Sequence, residues 1–181
     1  MALRIHGNRL LKTLSGSATR PTPGRVREAL FNIWQGKIEG CRWLDLCTGS
    51  GAMGAEALCR GAVLVIGIEQ SSQACEVIQQ NWQQVAMADQ TFQVIRGDVV
   101  KQLAGLSEQA PFDRIYFDPP YASDLYEPVL EAIAHHQILA PQGEMAVEHS
   151  PGRILPAAID SLKMGRQKTY GNTAIAFYEN T

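Results

Sequence analysis

Residues 43–58 read WLDLCTGSGAMGAEAL, a short apolar run that passes through a glycine-rich turn into a stretch of small, helix-compatible residues. Gly49, Gly51 and Gly54 satisfy G-x-G-x-x-G, and Glu69 follows Gly49 by twenty residues, at the end of the next apolar run. A strand, a tight turn and a helix in that order predict the opening unit of a parallel β-α-β sheet, with the turn at the ligand-binding edge. The spacing alone also describes a dinucleotide site, in which the helix N-terminus takes a pyrophosphate and the acid takes a ribose hydroxyl.

Asp45 separates the two ligands. It ends the first strand four residues before Gly49, and a carboxylate there repels a pyrophosphate but attracts the ammonium and sulfonium of S-adenosylmethionine. On this reading the glycines let the backbone approach the amino-acid end of the cofactor. Glu69 accepts from the ribose hydroxyls, and Asp98, in VIRGDV (94–99), accepts from the adenine amino group. The cofactor set is therefore Asp45, Thr48, Gly49, Gly51, Glu69, Gln70, Asp98 and Val99, with S-adenosylhomocysteine as the product and no metal.

Outward from the loop, apolar runs alternate with helical stretches, which predicts an α/β fold of three layers, doubly wound around a mostly parallel sheet. The runs are Arg42–Leu46, Val63–Ile68, Phe92–Ile95, Arg114–Phe117 and Glu144–Val147, and helices are expected at about 51–60, 71–86, 99–105 and 124–135. Leu162–Thr169 and Thr173–Tyr178 flank Tyr170-Gly171-Asn172, a plausible antiparallel hairpin. Upstream, Thr22-Pro23 reads as an N-cap and first helical residue, and Val26, Ala29, Leu30, Ile33 and Trp34 recur at helical spacing, with Arg25, Arg27 and Glu28 on the other face.

The fourth run ends in Asp118-Pro119-Pro120-Tyr121, beyond the carboxyl end of its strand, where ligands of such sheets bind. An exocyclic amine on a purine is a weak nucleophile because its lone pair is delocalised into the ring. The Asp118 carboxylate and the Pro119 carbonyl can accept its two N–H bonds and turn the lone pair toward a methyl donor, while the prolines stiffen the turn. Tyr121 can stack on the base, an interaction typically worth on the order of 1–3 kcal/mol. Asp118 can also take the proton released afterwards.

Composition sets the frame. At 181 residues the chain suits one domain, read here as a basic N-terminal arm at 1–22 and a catalytic domain at 23–181. No apolar run approaches the roughly 20 residues needed to cross a bilayer, and the opening lacks a secretory core, so a cytoplasmic protein without membrane contact is expected. Cys41, Cys47, Cys59 and Cys75 form no C-x-x-C pair, which argues for free thiols. The net charge of −2 is uneven: residues 1–42 hold eight basic and two acidic residues and carry +6, leaving −8 on the remainder. A basic arm beside an acidic body suits phosphate contact, with Arg4, Arg9, Arg20 and Arg25 as basic candidates. His135-His136, His149, Trp34, Trp43 and Trp82 read as structural.

With these motifs in order, the chain resembles the bacterial family that methylates the N2 amino group of a guanine in small-subunit (16S) ribosomal RNA. The resemblance runs through LRIHGNRLLK (3–12), RPTPGRVREALFNIW (20–34), LDLCTGSGAMGAEALCRGA (44–62), FDPPY (117–121) and TYGNTAIAFY (169–178). It implies a seven-stranded Rossmann-like methyltransferase sheet ending in an antiparallel hairpin. It also implies cofactor contacts at Gly49, Gly51, Glu69 and Asp98, catalysis at Asp118, Pro119 and Tyr121, and an N-terminal segment that closes on cofactor and contacts RNA, which makes Arg20, Thr22 and Arg25 candidates for either role. Pro23-Gly24 departs from the family's usual threonine or serine followed by aspartate. Ribosomal RNA is the expected partner, within an assembled or partly assembled small subunit, and a monomer is expected. Two other readings stay open: an amino-methyltransferase acting on adenine N6 or a protein glutamine amide, and a non-catalytic RNA-binding assembly factor.

Overall fold

A computed structural model describes residues 2–13 and 24–181. The chain opens with a hairpin, β1 (Ala2–Ile5) and β2 (Arg9–Lys12), followed by α1 (Gly24–Ile33). Five strands then alternate with four helices: β3 (Arg42–Leu46), α2 (Ala52–Cys59), β4 (Leu64–Glu69), α3 (Ser72–Val85), β5 (Thr91–Arg96), α4 (Val99–Ala104), β6 (Phe112–Phe117), α5 (Tyr126–His135) and β7 (Leu139–His149). The chain closes with β8 (Ala158–Ile159), β9 (Leu162–Tyr170) and β10 (Thr173–Asn180).

The main sheet runs β5-β4-β3-β6-β7-β10-β9-β8, parallel from β5 to β7 and antiparallel beyond. The eighth strand, one more than the expected seven, is the two-residue β8, paired to the start of β9 through Ala158↔Lys163 and Ile159↔Leu162. Two residues carry no readable period, so no pattern announced it. The order reverses between β3 and β6, which leaves a crevice at the carboxyl ends of these two strands.

Each face of the sheet buries its own core. The β3 run WLDL alternates sides: Trp43 joins the cluster under α1, α2 and α3, while Leu44 and Leu46 join the cluster under α4 and α5. In α1, Val26, Leu30 and Phe31 face inward, and Phe31 stacks on Trp43 with ring centroids 5.4 Å apart. Trp34 meets Trp43 edge-on at 5.5 Å, and its indole N–H donates to Glu144 at 2.5 Å. The expected N-cap Thr22 and the following Pro23 lie outside the described residues.

Arg27 departs from the expected polar face. It is only 4% exposed, and its Nε donates to Glu56 at 3.1 Å while Nη2 donates to the Arg4 carbonyl at 2.7 Å. Glu56, on α2, also receives Arg60 at 2.8 Å and the His6 main-chain N–H at 3.3 Å. This ion cluster joins α1, α2 and the hairpin. Charge at a helical position gave no hint of a partner 29 residues away.

Removing one member of a buried ion pair strands the other in an apolar setting. Arg27→Ala is expected to lower unfolding stability by roughly 3 kcal/mol, measured by urea denaturation, whereas Arg25→Ala, at an exposed position of the same helix, should leave the midpoint nearly unchanged.

Candidate active site

The glycine loop between β3 and α2 is built on an indole. Trp82, fully buried on α3, donates its Nε1–H to the Gly51 carbonyl at 2.8 Å. A Cβ on Gly51 would approach that nitrogen to 2.9 Å, one on Gly54 would meet the six-membered ring at 2.3 Å, and one on Gly67 of β4 would meet it at 2.5 Å. Three glycines are thus required by one tryptophan. Gly49 differs, because a Cβ there would meet only the Cys47 carbonyl at 4.0 Å. Its φ of +60° suits glycine, and its outer face is open for a ligand to lie against.

Asp45 lies beneath the loop. It is 1% exposed, and its Oδ2 accepts the Gly54 N–H, in the first turn of α2, at 3.0 Å. Gly51 at the N-cap offers no side chain, so the strand below supplies the acceptor that an N-cap residue would normally provide. Burial pushes the Asp45 carboxyl well above its ordinary value against the pull of that N–H, and the Asp118 and Glu69 carboxylates push it further. One oxygen of Asp45 is thus engaged by an inward bond to the helix.

Glu69 ends β4 and bridges two turns, accepting from the Gly49 N–H and the Ser71 N–H, both at 2.9 Å. Thr48 is buried, and its hydroxyl lies 2.8 Å from the Asp45 carbonyl and 3.1 Å from that of Ile68, which seams β3 to β4. Gln70 is exposed beside Glu69. Asp98 caps α4, accepting the Lys101 N–H on Oδ1 at 3.0 Å, and Val99 is the first residue of that helix. Asp118 follows β6, its main-chain N–H on the Leu46 carbonyl at 3.3 Å. The thiol of Cys47 feels all four acids: burial raises it to about 12, with Glu69, Asp118, Asp45 and Asp98 adding to the rise. The carboxylates that sequence placed at successive strand ends lie at one edge of the sheet, close enough to bear on the Cys47 thiol.

Pro119 is buried, Pro120 is exposed, and Tyr121 is half-buried. The Tyr121 hydroxyl donates to Glu148 Oε1 at 2.9 Å and lies 3.0 Å from the Thr173 hydroxyl. Glu148 Oε2 accepts the Tyr116 hydroxyl at 2.5 Å. Arg153 Nη2 donates to the carbonyls of Tyr121 at 2.9 Å and Ser123 at 3.2 Å, with its guanidinium 4.4 Å from the Tyr126 ring centre. Burial raises the Tyr121 phenol to about 12, so it stays protonated and able to donate. Sequence reading missed Glu148, Arg153 and Thr173. A lone acid, base or threonine near a strand end carries no motif. His149, read as structural, is fully buried, with Nδ1 2.8 Å from the Ser150 carbonyl, and burial lowers its pKa.

The basic candidates separate. Arg25 lies close to the turn joining β9 and β10: a Cβ on Gly171 would come within 2.6 Å of its Nη2. That turn leads into Thr173, and so to Tyr121. Arg9 instead donates to the Val85 carbonyl at 3.0 Å, at the far end of α3, about 20 Å along that helix from the cleft. Arg4 is exposed on the same hairpin and bonds Asn8. Arg20 and Thr22 lie outside the described residues. Asn81 ties the hairpin to the glycine loop: its Oδ1 accepts the Lys12 N–H at 2.9 Å, and its Nδ2 donates to the carbonyls of Lys12 and Ser50, both at 3.0 Å.

Known proteins resemble this chain in sequence and in fold. The chain matches the family described as conserved hypothetical protein 95 over residues 3–179. A Bacillus subtilis protein, YlbH, provisionally named an rRNA methyltransferase, is 34% identical over 94% of this chain and 93% of its own. The Haemophilus influenzae ribosomal RNA small subunit methyltransferase D is 28% identical over 95% of this chain and 89% of its own. An Escherichia coli structure, provisionally described as the methyltransferase yhhF, aligns with a TM-score of 0.83 at 28% identity, over 99% of this chain and 98% of that one.

The indole support predicts a coupled pair. Gly54→Ala should destabilise the fold by about 1–3 kcal/mol, read as a fall in melting temperature. In a Trp82→Leu background the same alanine should add much less, because the ring it strikes is gone.

Proposed function

The chain belongs to the conserved hypothetical protein 95 family, and from that premise we propose that it methylates ribosomal RNA with S-adenosylmethionine, at the N2 amino group of a small-subunit guanine. The observation that carries the reading is the placement of Asp118-Pro119-Pro120-Tyr121 just beyond β6, next to β3 and its glycine loop, where Glu69 holds the Gly49 N–H and Asp45 lies beneath. The names of the relatives place ribosomal RNA methylation on those proteins. The choice of guanine N2 rests on the resemblance of the motifs and on the chemistry of the tetrapeptide.

The cleft suits the cofactor. Gly49 leaves room for backbone approach, and four acids gather around it. A cluster of carboxylates, one of them pushed up by burial, is eased by a cation. Gly49, Gly51, Glu69, Gln70, Asp98 and Val99 would hold S-adenosylmethionine, with Asp45 and Thr48 fixing the loop from below. When bound, the cofactor supplies a methyl group activated by its sulfonium.

The tetrapeptide presents the acceptor. Asp118 and the Pro119 carbonyl take the two N–H bonds of the guanine amine and align its lone pair, and Tyr121 holds the ring by stacking. As the new N–C bond forms and the methyl–sulfur bond breaks, with S-adenosylhomocysteine as the leaving group, the nitrogen sheds a proton, which Asp118 would accept and pass to solvent. The N2 edge faces the minor groove of folded RNA, so the base must be unpaired or extruded to reach this cleft. Arg25, on the rim beside Gly171, is the basic candidate best placed to meet a phosphate there. The acidic remainder of the chain offers little phosphate-binding surface, which favours a partly or fully assembled subunit as substrate over naked RNA.

The deciding assay offers labelled S-adenosylmethionine with undermethylated small subunits, large subunits, transfer RNA, DNA and release factors, followed by nucleoside mass spectrometry. N2-methylguanosine from small subunits alone is the expected product. N6-methyladenine or methylated glutamine would overturn the acceptor, and equal transfer to naked RNA would overturn the assembled substrate. Asp118→Ala should reduce turnover at least about a hundredfold while the stabilisation given by S-adenosylhomocysteine persists in thermal unfolding.

A further inference from the structure

Glu148 stands one residue before the end of β7 and is 2% exposed. Strand alternation puts it on the same side of the sheet as Ala146, which pairs with Tyr116 of β6. That register sets the Tyr116 hydroxyl 2.5 Å from Oε2 and leaves Oε1 facing the turn after β6, where it takes the Tyr121 hydroxyl at 2.9 Å. The Tyr126 hydroxyl donates to the Glu148 carbonyl at 3.3 Å, and Thr173, at the start of the adjacent β10, stands 3.0 Å from the Tyr121 hydroxyl. Three tyrosines from β6, the catalytic turn and α5 therefore meet at one residue.

Burying a carboxylate is unfavourable unless its bonds are made, and a phenylalanine at 121 would offer the same stacking face with no demand for an acceptor. The bond between Tyr121 and Glu148 adds orientation. Tyr121 is otherwise a half-exposed side chain on a turn, and such a ring changes rotamer on the picosecond to nanosecond scale. Bonded at its far end to a strand residue whose other oxygen is fixed by Tyr116, the ring is held at one tilt before any base arrives.

We propose that Glu148 is a positioning residue for the methyl-transfer reaction: through the Tyr121 hydroxyl, with Thr173 as second support, it fixes the ring on which the target base stacks. This rests on the proposed role of Tyr121 as the stacking platform. Glu148 touches neither base nor cofactor and acts through Tyr121 alone. Its loss loosens the angle of the base against Asp118 and leaves the cofactor cleft intact.

The test is a double-mutant cycle of Glu148→Gln and Tyr121→Phe, with Thr173→Val as a milder variant that keeps the carboxylate. Each variant is measured on whichever acceptor the wild-type protein methylates, beside its affinity for S-adenosylhomocysteine. Glu148→Gln and Tyr121→Phe should each lower turnover about tenfold, with cofactor affinity unchanged, and the double variant should be no slower than Tyr121→Phe alone. Losses that multiply, or a Tyr121→Phe protein as fast as wild type, would overturn the proposal. A readout independent of activity is carbon-13 NMR of labelled tyrosine rings. The Tyr121 ring should gain mobility in Glu148→Gln and Thr173→Val while the buried Tyr178 ring does not, and an unchanged Tyr121 ring would defeat the positioning role. Methylation of a different acceptor would remove the guanine assignment and leave the result of the cycle standing.

Discussion

One aromatic side chain sets the geometry of the cleft. The Trp82 indole lies under the turn from β3 to α2, its N–H on the Gly51 carbonyl, with its ring occupying the volume that side chains at 51, 54 and 67 would need. The backbone of β4, the loop and the first turn of α2 all close on this one ring. Asp45 adds a second support from β3 by taking the Gly54 N–H. A rigid loop held from below leaves one surface for a ligand, the outer face of Gly49, while Glu69 fixes the Gly49 N–H from the side. The glycine pattern therefore answers two demands. Gly51 and Gly54 serve packing against Trp82, and Gly49 serves a left-handed turn and an unobstructed face.

That division bears on what the sequence could disclose. The order of strands and helices is legible because each element shows its own period: β3 falls on Arg42–Leu46 as expected, and β9 and β10 form the expected hairpin. Strand-end positions followed from that order, so Glu69, Asp98 and Asp118 could be placed at one edge before any coordinates. What was not legible depends on residues far apart in the chain. Arg27 reads as surface until Glu56 is brought to it, and Glu148 reads as an isolated acid until Tyr116 and Tyr121 arrive from β6 and its turn. The glycines read as ligand-facing, and the fold adds a second demand at Gly51 and Gly54, because Trp82 reaches back to the loop from a glutamine-rich helix. Arg9 was grouped with Arg25 by charge, and charge carries no direction. The fold turns Arg9 to the far end of α3 and Arg25 toward the β9–β10 turn.

The electrostatics of the cleft fit this partition. Burial raises the Cys47 thiol and the Asp45 carboxyl, and neighbouring carboxylates add to both: Glu69, Asp118, Asp45 and Asp98 at Cys47, and Asp118 and Glu69 at Asp45 against its helix bond. Such a field is unfavourable to phosphate and favourable to a cation, so it fits the proposed cofactor and opposes close entry of an RNA backbone. A nucleic acid approaching this edge is best accommodated with its phosphates at the rim and only a neutral base in the cleft, which is the geometry that extrusion of a single nucleotide produces. The basic residue described at that rim, Arg25, belongs to α1 and not to the acidic strand ends.

The two sides of the cleft are fixed in different ways, and the difference follows from what each is proposed to hold. The cofactor side is fixed through main-chain groups: Gly49 N–H to Glu69, Gly54 N–H to Asp45 and the Gly51 carbonyl to Trp82. The acceptor side is fixed through side chains reaching from separate elements: Glu148 from β7, Thr173 from β10 and Arg153 from the segment after β7. A loop held by its backbone keeps its shape whatever its side chains are. An aromatic platform held at its hydroxyl from β7 and β10 keeps its angle while these strands stay in register, with Ile175 opposite Glu148. Registry of the antiparallel end of the sheet is thereby tied to the tilt of Tyr121. This gives the C-terminal hairpin a part in the chemistry that its distance in sequence from Asp118 does not suggest.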